Sequence, residues 1–329
     1  MSDRGVRRLP ALVATLCAPA LLASPLAGAQ SDAESGADVL ELAPAPRAAA
    51  MAGAYAAGAP DDPFAGFFNP AGIAGRAAPG DSASAVWTVG AAYRRHVGDA
   101  KAGTAAARFA GLGGAASVAL RYVDYGDVAE LVPDPAFGGE RGMETGATVG
   151  ATELALSAAY GIELGLVVLG AGFDLVRADL ADLQDVAVSG SAGARVTAWA
   201  GRVAFGAAAQ NLGGAAGPGR DAPLPRSYRA GAALLLGPPS GPRLRLAGDV
   251  VGPWDRLRPV AGVEVHVVGS EGVALQVRAG WDGSIRDGDA LDDLAFGGGL
   301  VLGSLAIDYA YRAVGVLGDA HQFGVRFQP

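Results

Sequence analysis

The chain has 329 residues, 51% of them apolar and only 18% charged, and its 51 glycines and 20 prolines make up about a fifth of it. That is too hydrophobic for a disordered chain and too rich in glycine for a helical bundle. A formal net charge of −8 argues against nucleic acid as a partner.

The first 29 residues have the plan of a secretory signal peptide. Arg4, Arg7 and Arg8 form a basic head, Leu9 to Leu22 an apolar stretch, and Ala27-Gly28-Ala29 a small-residue cleavage site. With this leader go three Arg, one Asp and the single cysteine, Cys17, leaving 22 basic and 32 acidic residues and no thiol. The mature chain is therefore expected to have no disulfide, no thiolate metal site and no lipid anchor at cysteine. Past the leader, no window of 18 residues is free of charge and proline, which excludes a membrane helix. Only helices and closed barrels satisfy every backbone hydrogen bond in lipid, so an exported, apolar, helix-poor chain points to a barrel.

Residues 30–83 show little alternation, and four of their prolines fall in the middle stretch, at 44, 46, 60 and 63. Two readings stay open for this segment: a loose periplasmic arm, or a plug folded into the barrel mouth. The second follows from Ala48 to Ala59, a run of small apolar residues poorly placed in water. Residues 84–329 are expected to form the barrel. Turn signals divide them into fourteen strands at about 84–95, 101–110, 114–125, 148–160, 162–176, 185–199, 202–212, 226–236, 243–251, 259–268, 272–282, 292–302, 304–313 and 320–327. The alternation is clearest late in the chain, as where Val273, Leu275, Val277 and Trp281 interleave with Gln276, Arg278 and Asp282. Short links near Gly111, Gly161, Gly201, Gly269 and Gly303 alternate with longer ones at 126–147, 177–184, 213–225, 283–291 and 314–319, the asymmetry of an outer-membrane barrel. The expected fold class is thus all-β, an antiparallel transmembrane barrel of about fourteen strands in the cell outer membrane, with an N-terminal plug.

If the apolar strand faces meet lipid, Arg243, Arg245, Asp249, Glu264, Arg278, Asp308, Arg312 and Arg326 point into the lumen. They either pair as lumen-filling salt bridges or form a polar path or plug latch. Asn69-Pro70 with Gly72 just beyond sets a sharp bend, either as an ordinary Asx turn or as a gate. Asp61 and Asp62 are candidate caps or partners for lumen arginines; no spaced acidic ladder follows to make a calcium site. His96, His266 and His321 stand far apart with no HExxH or GxSxG, so no catalytic residue, metal or cofactor is expected. Trp87, Tyr93, Trp199, Trp254, Trp281, Tyr309 and Tyr311 suit interfacial girdles.

Leu40 to Gly75 reads LELAPAPRAAAMAGAYAAGAPDDPFAGFFNPAGIAG. It resembles the opening of the PorV/PorQ family, relatives of the FadL outer-membrane transporters, in which R-A-x-A-M-G-G-A-Y is followed by A-D-D and N-P-A-G-L. The matching positions include Arg47, Met51, Gly53, Tyr55, Asp61, Asp62, Asn69, Pro70 and Gly72; Ala52 stands where the family has the first glycine of a pair, Pro60 precedes the acids, and Ile73 replaces Leu. Ala207 to Gly213, Leu224 to Leu234, Val277 to Gly283 and Ile307 to Phe327 agree in order and spacing. The resemblance implies a fourteen-stranded barrel with a hatch and a hydrophobic small molecule as cargo, or else an accessory that docks a secreted protein or secretion machinery. Outer-membrane lipid and the outer-membrane assembly machinery are the other implied partners. A transporter should show a continuous apolar pocket between plug and wall. A docking protein should show a lumen plugged solid by residues 40–75 and apolar long loops.

Overall fold

The computed structural model describes residues 37–75, 86–95, 100–138, 140–180, 183–215, 223–269, 272–283, 293–313 and 319–329. The leader and His96 lie outside them. All belong to one compact unit, Glu34–Pro329, in which no helix is long and apolar enough to cross a membrane.

Fourteen antiparallel strands close into a barrel in simple sequence order, with the first pairing the last. They are β1 (Trp87–Arg95), β2 (Lys101–Gly111), β3 (Gly114–Pro133), β4 (Gly142–Leu164), β5 (Val167–Leu180), β6 (Leu183–Ala198) and β7 (Val203–Ala215). The circuit continues through β8 (Ser227–Leu236), β9 (Arg243–Gly252), β10 (Arg258–Val268), β11 (Val273–Asp282), β12 (Leu294–Leu302), β13 (Leu305–Ala313) and β14 (Asp319–Phe327). The seam between β1 and β14 runs from Val89 opposite Phe327 to Arg95 opposite His321. Closure leaves no open sheet edge to hydrogen-bond with lipid.

Alternation sorts the side chains. Leu275, Val277 and Trp281 of β11 face outward while Gln276, Arg278 and Asp282 are buried within. Trp87, Phe109, Trp199 and Phe327 cluster toward the short-turn end of the outer wall, and Tyr93, Trp254, Trp281, Tyr309 and Tyr311 toward the other. Two aromatic belts around an apolar band are what a bilayer-spanning wall needs.

Three boundaries differ from the sequence reading. Residues 126–147 are not one long loop: β3 and β4 run on as a paired hairpin past register shifts at Asp124/Asp127 and Ala129/Leu131, turning only after Pro133. Most side chains of this extension are exposed on both faces, so backbone ladders hold it without the hydrophobic contrast that marks a strand in sequence. The segment 177–184 is likewise mostly strand, since Leu180 pairs with Leu183. The turn expected at Gly161 falls instead at Gly165 and Leu166. Gly161 is mid-strand and faces the N-terminal segment, where a Cβ would lie 3.1 Å from that of Ala74; it is glycine for clearance rather than for turning.

Residues 37–75 fill the lumen. They comprise a 3-10 turn at Asp38–Leu40, a short helix α1 (Pro46–Ala50) and 3-10 turns at Ala65–Phe67 and Pro70–Ile73. Pro46 at the first turn of α1 carries the φ a helix start wants and lacks an N–H that would be unpaired there. The buried core is this segment packed on the wall: Met51, Tyr55, Phe68, Ile73 and Ala74 cluster with Ala115 and Val168.

Candidate functional site

The site is the contact between this inner segment and the barrel. Beginning at its centre, Arg47 of α1 makes two parallel bonds to Glu264 of β10: Nε donates to Oε2 and Nη2 to Oε1, both at 2.9 Å. Arg278 of β11 donates from Nε to the same Glu264 Oε2 at 2.6 Å and from Nη1 to Asp308 Oδ1 at 2.7 Å. Asp308 accepts in turn from Arg326 Nε at 2.9 Å. Arg245 Nε lies 3.7 Å from Glu264. Five of the residues expected to face the lumen thus join one chain of charge across β9, β10, β11, β13 and β14, and Arg47 links it to the inner segment. Gln276 extends it by accepting from Arg278.

The acids of the segment close the network from within. Tyr55 donates its hydroxyl to Asp62 Oδ2 at 2.6 Å, Asp62 Oδ1 accepts the Phe64 N–H at 3.0 Å, and Arg47 Nη1 lies 3.7 and 3.8 Å from Asp61 and Asp62. Burial opposes the charge on Arg47, but Glu264 beside it holds its pKa well above the usual value. For Tyr55, burial raises the phenol well above its usual range, and Asp62 adds to that. Burial alone would raise Asp61, yet Arg47, Arg326 and Arg245 bring it below the ordinary carboxylate value.

Elsewhere the wall grips the backbone of the segment. Asp249 Oδ2 accepts from the N–H groups of Tyr55 and Ala56, each at 2.7 Å, while Arg229 donates to Gly53 O at 2.9 Å. Arg195 donates to Ala57 O at 2.7 Å, Gln210 to Phe67 O at 2.6 Å, Arg108 to Ile73 O at 2.6 Å and Gln322 to Ala43 O at 3.0 Å. These six wall residues sit on β9, β8, β6, β7, β2 and β14, so the segment is tied around most of the circumference. Charged donors and acceptors make the stronger class of hydrogen bond.

Asn69 works as an N-cap and as a tie. Its Oδ1 accepts the Ala71 N–H at 3.0 Å, while Nδ2 donates to Ala56 O at 2.8 Å and to Ala194 O of β6 at 3.1 Å. The Asx turn is therefore present, and the same side chain joins two stretches of the segment to the wall. Gly72 packs its backbone on Gly58, where φ is +64° and a Cβ would strike Gly72. Gly53, with φ +77°, ends α1 by donating to Ala48 O at 2.9 Å. Met51 is fully buried where Gly262 and Gly280 leave space for it. Pro70 and Ala71 lie against Gly170 with no room for a side chain there.

Arg312 does not join the central network. It donates to Asp282 Oδ2 at 2.7 Å, and Arg258 donates to Asp282 Oδ1 at 2.9 Å. This trio lines a cavity of about 330 Å³ on the long-connection side of the segment. Leu40, Leu42, Phe67, Phe68 and Val251 give that vestibule apolar surface, and Arg94, Arg121 and Arg229 give it charge. The Nε of Arg94 has no hydrogen-bond partner among the described residues. Beneath the vestibule the spaces between segment and wall shrink to about 40 and 10 Å³. The vestibule is mixed in character rather than the continuous apolar pocket expected of a transporter, and the inner segment lies across the lumen beneath it.

The sequence reading set Asp282 on the polar face of its strand without giving it a role, and missed Arg94, Arg108, Arg121, Arg195 and Arg229. The only signal for the early arginines is parity, since each has the inward phase of its strand; with Ala, Gly and Ser as most inward neighbours, there is little polar alternation to reveal it. His266 faces inward and lies 2.7 Å from Arg243, and His321 faces outward beside Tyr309.

No family model matches the chain, and no curated protein sequence does. Solved structures do. The structure titled CymD monoaromatic hydrocarbon channel superposes with a TM-score of 0.55 over 87% of this chain and 97% of that one, at 9% identity. The Ralstonia pickettii toluene transporter TbuX gives 0.53 over 86% and 98% at 14% identity, and the P. putida toluene transporter TodX 0.51 over 85% and 95% at 13% identity. The chain shares their barrel fold. At such identities the likeness is one of architecture, and the residues of the site must speak for themselves.

Proposed function

We propose that the protein is an outer-membrane barrel for passive passage of hydrophobic small molecules. The observation that carries this reading is the vestibule, which opens on the long-connection side, rests on Phe67 and Phe68 of the inner segment and encloses about 330 Å³. That volume is at the lower end of the range for small-molecule pockets, about 300–1,000 Å³. The barrels of like fold whose titles name toluene and monoaromatic hydrocarbons support it. Cargo enters the vestibule from outside, and a shift of residues 46–75 around the Asn69 to Gly72 bend opens the way down. No bond chemistry is involved. In this role Arg47, Met51, Gly53, Tyr55, Asp61, Asp62, Asn69, Pro70 and Gly72 are the moving side of the gate, while Arg245, Asp249, Glu264, Arg278, Asp308 and Arg326 are its fixed latch.

The alternative implied by the PorV/PorQ resemblance of residues 40–75 is an accessory that docks a secreted protein or secretion machinery. Uptake of labelled toluene by cells whose outer membrane otherwise excludes it separates the two. Transport requires uptake to rise when the protein is expressed and to rise further when Arg47→Ala loosens the latch. No uptake with either form moves the reading to docking.

A further inference from the structure

One feature of the outer wall is not used by the gate. At the long-connection end, strand register places Lys101 of β2 beside Arg95 of β1, Arg95 beside His321 of β14, and His321 beside Tyr311 of β13. All four have the outward parity, and Lys101 and Arg95 are exposed. Lys101 is the only lysine in the sequence. Two residues down each strand, the next outward row holds Tyr93, Phe323 and Tyr309, with Tyr93 and Phe323 about half exposed.

The opposite aromatic row of this sector is Trp87, Phe109 and Phe327, with the Trp87 and Phe327 rings 5.6 Å apart. From Trp87 to Tyr93 is six residues, roughly 20 Å measured along the strand. The cationic row lies just beyond the outer aromatic belt, at the depth where lipid headgroups begin. Basic charge there is local, because the neighbouring β3–β4 hairpin carries Glu130, Asp134, Glu140 and Glu144 in a chain of net charge −8. Among the described residues two acids flank the row: Asp124 of β3 stands opposite Lys101, its Oδ1 accepting the Gly126 N–H at 2.9 Å, and Asp319 accepts from the Tyr311 hydroxyl at 2.8 Å. Tyr309 Oη lies 2.9 Å from His321 Nδ1, which fixes the ring.

We propose that Lys101, Arg95 and His321 dock the phosphorylated headgroup of an outer-leaflet lipid, whose acyl chains lie along Tyr93 and Phe323. Neighbouring strands are about 4.8 Å apart, so three adjacent residues span roughly 10 Å, enough for more than one phosphate oxygen. Lysine and arginine stems lie along the apolar wall while their heads reach the phosphate. The site rests on the barrel spanning the outer membrane and is independent of whether the lumen conducts.

The test uses the full folded protein in phosphatidylcholine vesicles doped with lipid A, with retained lipid measured by native mass spectrometry. Wild type retains lipid A and not its dephosphorylated form. The double variant Arg95→Gln/Lys101→Gln loses roughly thirtyfold in retention, whereas Arg95→Lys keeps most of it. Heat-modifiable gel mobility confirms that each variant is folded. Equal retention by the double variant, equal retention of dephosphorylated lipid A, or displacement of lipid A by millimolar inorganic phosphate overturns the proposal. Toluene uptake unchanged in the double variant keeps this result separate from the transport reading.

Discussion

The two sides of the lumen hold the same inner segment by different means. Along β9 to β14 the grip centres on charge paired with charge, running from Arg47 through Glu264, Arg278 and Asp308 to Arg326, with Asp249 and Gln322 adding ties to the backbone. Along β2 to β7 it is side chain on backbone, with Arg108, Arg195 and Gln210 each capturing a carbonyl oxygen and Gly170 and Gly206 letting the chain lie flat on the wall. The first kind depends on a few groups whose loss strands a buried charge. In the second kind, small contributions are spread over many positions, and each can fail without the others. The charged side is thus the natural latch, and the carbonyl-captured side the natural hinge.

The comparison breaks most directly at Arg47. Arg47→Ala leaves Glu264 with Arg278 and Arg245 but removes the bidentate pair, and deletion of one partner of a buried pair costs about 3–5 kcal/mol. A lower unfolding temperature in detergent and ion leak in planar bilayers are the expected outcomes; a variant as stable and as tight as wild type would contradict the latch. Arg195→Ala removes one charged hydrogen bond from the other side, worth about 1.5–3 kcal/mol. Urea unfolding should show that smaller loss with little leak, and a leak equal to that of Arg47→Ala would erase the distinction between the two sides.

Titration sharpens it further. Asp61 has a depressed pKa, so its contribution is present above about pH 3.9 and disappears as pH falls through its lower folded value. Tyr55 has a raised pKa, so its contribution is present below about pH 10 and disappears as pH climbs through its higher folded value. As far as Asp61 and Tyr55 govern it, leak is flat from about pH 5 to 9 and rises outside that window. The smallest effect is at Ala52, held at φ +52° beside Gly53 in a region that favours glycine. Ala52→Gly is expected to raise stability by up to about 1 kcal/mol, a shift measurable by thermal unfolding; a fall would mean that the Ala52 methyl packs better than its backbone is strained.

The same comparison explains what could be read in advance. Glu264, Arg278 and Asp308 stand at strict intervals among Val, Leu and Ile, so their inward phase is visible in the sequence. Arg108 and Arg195 stand among alanines and glycines, where neither phase contrasts with the other. Gly161 was read as a turn because glycine marks turns and close approaches alike, and only the position of Ala74 shows which. The upper hairpin of β3 and β4 escaped because it buries neither face. The bend at Asn69 was legible as local chemistry, but its reach to Ala194, on a strand more than a hundred residues away, was not.

The inner segment also touches both strands of the seam: Gly90 of β1 lies against Phe64, and Gly324 of β14 against Pro46. The strands that close the ring are thus ones the inner segment lies against, and a side chain at Gly90 or Gly324 would press on the segment and on the seam at once.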